Sequence, residues 1–157
     1  SQHGSRELSE LALKQLEFWA KLKDYASEAG SKVRLQSPSP QHWSNIAVGS
    51  SEAHISLTAN SKESVTGCEL TIADNKEMFA FLEQRKEEIE KQLGTDLEWR
   101  GPEEHRKRTV IVQKKSGFDI NDESKFPQYF DWLLERGEVF GRVFRPLIKA
   151  YQDQNGS

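Results

Sequence analysis

The chain has 157 residues, 22 Lys and Arg against 25 Asp and Glu, and a formal net charge of −3 at pH 7. That length suits one domain, and a charge so near zero excludes a whole-protein polyanion binder of the histone kind. A single Cys excludes a disulfide framework and any zinc site built from several thiolates.

Hydrophobic residues make up 35% of the chain, and four Trp, three Tyr and eight Phe are among them. The core is therefore expected to rest on a few large rings. No apolar run nears the ~18 residues that span a bilayer. Ser1-Gln2-His3-Gly4-Ser5 carries no signal-peptide stretch and resembles the remnant of a cloning tag. The expectation is a single domain over 6–152, a polar tail over 153–157, and a reducing, cytoplasmic setting without membrane contact.

The first helix is expected from about Arg6 to Ala29, with Ser5 as its N-cap. Its apolar face runs from Leu8 and Leu11 through Phe18, Trp19 and Leu22 to Tyr25 and Ala26. Pro38 and Pro40 then favour an extended loop that delivers Gln41-His42-Trp43. Period two replaces period 3.6 beyond it. Ile46 and Val48 alternate; Ala53, Ile55, Leu57 and Ala59 oppose His54, Ser56 and Thr58; Cys68, Leu70 and Ile72 oppose Glu69 and Thr71.

Asp74-Asn75-Lys76-Glu77 has the spacing of a capping box and opens a second helix, whose stripe is Met78, Phe79, Leu82, Ile89 and Leu93. Two further strands follow, around Leu97–Trp99 and Thr109–Gln113. The last helix opens near Ser124 with Pro127 in its first turn. Phe126, Phe130, Leu133, Gly137, Phe140, Phe144, Leu147 and Tyr151 form a heptad-like seam along it. Gly137 and Gly141, one turn apart, would let another backbone approach, and Pro146 should kink or interrupt the helix. The order α-β-β-β-α-β-β-α predicts an α+β fold, a five-stranded antiparallel meander with three helices packed mainly on one face.

Several runs together resemble a known family. They are Phe18-Trp19, Pro40-Gln41-His42-Trp43, Ile46-Ala47-Val48-Gly49-Ser50-Ser51, His54-Ile55-Ser56-Leu57 and Gly67-Cys68-Glu69-Leu70-Thr71-Ile72. Gln84 to Glu90, Leu97-Glu98-Trp99-Arg100 and Phe144-Arg145-Pro146 extend the set. In this order they are similar to a bacterial and archaeal domain of unknown function, number 4268 of its series, from about Leu13 to Lys149. Members often lie C-terminal to nuclease-like regions. The resemblance implies a module of a DNA-processing or defence protein, with a nuclease-like domain of the same parent as one partner. It implies no catalytic residues.

An active nuclease of the restriction type needs an Asp on one strand and an acid-x-Lys on the next to hold Mg²⁺. Between Asp24 and Asp74 the sequence has no Asp; Glu69 is followed by Leu70-Thr71, and Glu98-Trp99-Arg100 has Arg where Lys is wanted. A degenerate metal-dependent nuclease is thus the weaker alternative to a non-catalytic recognition or assembly module. His42, His54 and His105 lack metal-ligand spacing, so neither metal nor cofactor is expected. Cys68 alternates with core residues, as a small buried hydrophobe does.

Two surfaces remain as binding candidates. One is the polar strand face with its neighbours, His42, Trp43, His54, Ser56 and Glu69. The other is the basic segment Arg100, Arg106, Lys107, Arg108, Lys114 and Lys115, interrupted only by Glu103 and Glu104 and flanked by Trp99. Such a segment can meet nucleic-acid phosphates. A third possibility is oligomerisation, with the C-terminal aromatic helix forming a homodimer seam.

Overall fold

The computed structural model describes residues 8–155. In chain order they form α1 (Glu10–Glu28), β1 (Trp43–Ala47), β2 (Ala53–Asn60), β3 (Val65–Ile72), α2 (Lys76–Glu83), α3 (Lys86–Leu93), β4 (Glu98–Arg100), β5 (Thr109–Ser116) and α4 (Phe126–Gln154). A single 3₁₀ turn, Glu123–Lys125, leads into α4. The α+β class and the order of elements follow the sequence pattern, with one helix more than expected.

All five strands pair antiparallel in one sheet, ordered β1-β2-β3-β5-β4. The first three form a meander, but β5 enters between β3 and β4, so the meander does not run through to the end. The reason lies in the strands themselves. Val110, Ile111 and Val112 are buried on both faces of β5, which suits a central strand, whereas β4 has one exposed and two half-buried residues and suits an edge.

One face of the sheet carries the core. Ile46, Ile55, Leu57, Cys68, Leu70, Ile72 and Ile111 point to it, and the helices cover them. Phe18 of α1 is the hub, with ring centroids 5.1 Å from Phe126, 5.1 Å from Phe130 and 5.3 Å from Phe118. Tilted and edge-on contacts of this kind each add about 0.5–1.5 kcal/mol beyond the area they bury. The α4 seam belongs to this core. Phe126, Phe130, Leu133, Phe140, Phe144 and Tyr151 are all buried against the chain's own sheet and helices, so the seam is not an open surface for a second copy.

Four local expectations need correction. The N-cap of α1 is Ser9, whose side chain accepts from Ala12 N; Ser5 lies outside the described residues. Leu8 and Leu11 are 45% and 44% exposed, and the buried face of α1 starts only at Phe18. The cap of α2 is Asn75, which accepts from Met78 N at 2.9 Å, one residue past the expected Asp74. The expected single helix over 75–93 divides at Gln84 and Arg85. There Arg85 donates to Phe81 O at 2.7 Å and lays its guanidinium 3.5 Å from the Phe81 ring centre.

Helix α4 runs unbroken through Pro146. The lost hydrogen bond is outweighed because Phe144, Ile148 and Tyr151 on either side are all buried. Neither Gly137 nor Gly141 admits another backbone. A Cβ on Gly137 would lie 3.2 Å from Ile46 Cδ1, and one on Gly141 would strike the Arg145 guanidinium, which folds back to donate to Ala47 O at 2.9 Å. That contact helps cover the outer edge of β1. Gln41 Nε2 donates to Trp43 O at 3.1 Å, and Asn45 N donates to Gln36 Oε1 at 3.2 Å. An edge strand stopped in this way does not recruit another strand.

Candidate functional site

Among the described residues, none that belongs to a helix lines the second face of the sheet. Strand register arranges its side chains in three transverse rows. The first is Trp43, Thr58, Gly67 and Lys114; the second is Asn45, Ser56, Glu69, Val112 and Glu98; the third is Ala47, His54, Thr71, Val110 and Arg100. Most of these residues, though not Ala47, Gly67, Glu98 or Val110, line a trough of about 520 Å³, walled by His42, Glu63 and Arg108 from the adjoining loops. From β1 to β4 it spans four strand spacings, about 19 Å.

Both sets of sequence candidates meet here. His42, Trp43, His54, Ser56 and Glu69 line the trough together with Arg100, Arg108 and Lys114. The remaining three cations do not. Arg106 is held by Glu103 Oε1 at 3.2 Å within the β4–β5 loop. Lys107 lies 3.9 Å from Asp74 and borders a separate hollow with Glu77 and Glu103. Lys115, one residue out of phase with Lys114, lines a groove beside Tyr129 and Trp132. Strand alternation separates what looked like one basic run. Trp99 also leaves the set: its Nε1 donates to Glu90 Oε2 at 3.1 Å, and its ring meets Phe79 edge-on.

The margin at β1 is aromatic. Trp43 is 38% exposed, and the His42 ring stands edge-on to it with centroids 4.8 Å apart. The loop beneath is fixed by Trp19 Nε1 donating to Gln41 O at 2.7 Å and Ala59 N donating to His42 O at 2.9 Å. The indole is thus presented rigidly. The opposite margin is cationic. Arg100 is paired with Glu98, but Arg108 and Lys114 form no ion pair among the described residues.

The floor between them is small and polar. Ser56 Oγ donates to Asn45 Oδ1 at 2.6 Å, and Thr71 Oγ1 donates to Glu69 Oε1 at 3.3 Å. Burial pushes the His54 imidazole below its ordinary range, and the nearby charge of Arg108 adds to this. The hydrogen bond from Arg100 holds Glu98 low against its partial burial, with the charges of Arg100 and Lys114 assisting. Asn45, Asn60 and Glu63 were not foreseen in the trough. Asn45 has a signal, because it alternates with buried Ser44 and Ile46; Glu63 sits in a polar turn and has none.

His54 and Glu69 are diagonal neighbours on β2 and β3, but among the described residues no group of three or more His, Cys, Asp or Glu is placed to hold a metal ion. Cys68 faces the core, fully buried, and that burial pushes its thiol well up. No helix among the described residues is long and apolar enough to cross a membrane.

Among solved structures the chain is similar to that of YbjN, a candidate transcription regulator from E. coli, at 10% identity and a TM-score of 0.45, over 86% of this chain and 92% of that one. At that depth the likeness carries no functional argument. No curated protein matches the chain. The model of a domain of unknown function, DUF4268, matches residues 14–148, nearly the whole span over which the sequence runs resembled it, and the chain belongs to that family.

Proposed function

We propose that the chain is a non-catalytic recognition module, part of a DNA-processing or defence-type protein, that takes up nucleic acid on the open face of its sheet. The observation that supports this reading is the shared trough. An exposed, rigidly held Trp43 stands on one margin, and Arg108 and Lys114, without ion-pair partners among the described residues, stand on the other. Bases stack on aromatic faces while cations track the phosphates, a combination that suits single strands. A duplex keeps its base faces stacked internally and would offer Trp43 nothing to stack on.

The test is binding of a labelled single-stranded oligonucleotide across a salt series. Two phosphate contacts, at Arg108 and Lys114, predict a log–log slope of about −1.4, at ~0.7 per contact. Reversing Arg108 and Lys114 to Glu should abolish binding, whereas reversing Arg106 and Lys107 should leave most of it. If neither single- nor double-stranded DNA or RNA binds at low salt, the reading fails.

A further inference from the structure

We propose that Glu69 selects guanine among the bases that enter the trough, an inference that deepens the nucleic-acid reading and rests on it. Glu69 is the middle residue of the middle row, on the third strand of five, so the diagonal from Trp43 on β1 to Arg108 just before β5 passes over it. Its surroundings leave the carboxylate short of donors. On one side Ser56 has committed its hydroxyl to Asn45, and on the other stands apolar, buried Val112. Among the described residues Thr71 alone donates to it, on Oε1; Arg100 lies within electrostatic reach but is paired with Glu98, and no Lys or Arg forms an ion pair with Glu69.

A ligand that covers this carboxylate must therefore supply hydrogen. A phosphate cannot, since it brings charge of the same sign. A base edge can, and the bases differ in what they offer. Guanine presents two adjacent donors on its Watson–Crick edge, the ring N1–H and the 2-amino group, which match the two oxygens of a carboxylate. Adenine and cytosine set an amino donor beside a ring acceptor, so one carboxylate oxygen would face a lone pair. Thymine and uracil have one ring N–H between two carbonyls. Covering Glu69 with any base but guanine leaves acceptors opposed, and an unpaired buried polar group costs more than a lost hydrogen bond returns.

Thymidine oligonucleotides carrying guanine, inosine or adenine at alternate positions test this by fluorescence anisotropy at low salt. The guanine form should bind roughly five- to a hundredfold more tightly than the adenine form, the range of one bidentate base contact. Inosine, which lacks the 2-amino group, should fall between them. Glu69→Gln should remove the guanine preference. Glu69→Asp, which keeps the charge but withdraws the acceptors, should weaken guanine binding and leave adenine binding unchanged; thermal melts confirm that both variants fold. Equal binding of all three oligonucleotides to the unaltered chain overturns the inference while leaving the nucleic-acid reading in place. So does a Glu69→Gln variant that tightens every oligonucleotide by one factor, for Glu69 would then act on phosphate by charge alone. Failure of all three to bind removes the nucleic-acid reading itself and the inference with it.

Discussion

Thr58, which lines the trough, leans over Gly67: a Cβ on Gly67 would strike Thr58 Oγ1. The two are cross-strand partners, and Gly67 in turn faces Lys114. The glycine is required here by space, since its backbone is ordinary extended strand. Gly67→Ala should destabilise the chain by about 1–2 kcal/mol, because β-branched Thr58 cannot swing freely aside. Thr58→Ala in the same molecule should restore part of that loss. A urea-unfolding double-mutant cycle measures the coupling, and additive effects would show that the contact imposes nothing.

How much of this trough was legible in the sequence depends on the range of the interaction. The facing of His54, Ser56, Glu69 and Thr71 is local, because alternation along a strand needs only the neighbouring residues. That Arg100 and Arg108 stand beside them is not local. It follows from β5, and not β4, pairing with β3, a contact between strands separated along the chain by two helices and β4. A clue was present in the continuous apolar run Val110-Ile111-Val112, which marks a strand buried on both faces. The shifts of the caps to Ser9 and Asn75 have a simpler cause. Ser, Asp and Asn are near-equivalent as caps, so spacing alone cannot rank adjacent candidates. The division at Arg85 depends on where its guanidinium finds Phe81, which no periodicity encodes.

Glu90 ties β4 to α3, and its role sets a pH dependence. Burial raises its carboxyl, but the bonds from Leu97 N at 2.7 Å and Trp99 Nε1, with the charge of Lys86, outweigh this and leave it below the ordinary value of 4.5. A carboxyl held low in the folded state binds its proton more readily when unfolded. Its contribution is therefore complete above the unfolded value and disappears as pH falls through the lower folded one. Glu90→Gln should be less stable than the unaltered chain by a constant amount above pH ~5, with the gap narrowing in more acidic solution. Denaturant melts at stepped pH measure it; a gap that stays level into acid would show that the charge contributes nothing.

His54 should titrate below 6.5, since burial first and Arg108 second both disfavour the imidazolium. The sign for stability follows directly: the unfolded chain takes up this proton first as pH falls, so stability declines through that window. Arg108→Gln should move the midpoint upward, and so should an oligonucleotide in the trough, whose phosphates favour the charged ring. The ring protons of His54, followed by NMR with and without ligand, report both. A midpoint unmoved by a bound oligonucleotide would place that ligand elsewhere on the molecule.

Trp43 and Trp99 separate recognition from stability. Trp43 is exposed on the trough margin and contacts His42, while Trp99 is anchored to Glu90 and packed on Phe79 across the sheet. Trp43→Ala should weaken single-strand binding by about 1–3 kcal/mol, the worth of one stacked base, and change the thermal midpoint little. Trp99→Ala should do the reverse, because it leaves Glu90 with one donor fewer and opens a void beside Phe79, a loss of about 3 kcal/mol or more for a packed ring. Titrating each variant with the same oligonucleotide and following tryptophan emission separates them further: the quench on binding should vanish in Trp43→Ala and persist in Trp99→Ala. If the quench instead vanishes with Trp99, the ligand sits against α3 and β4 on the helix side, and the open face is not its site.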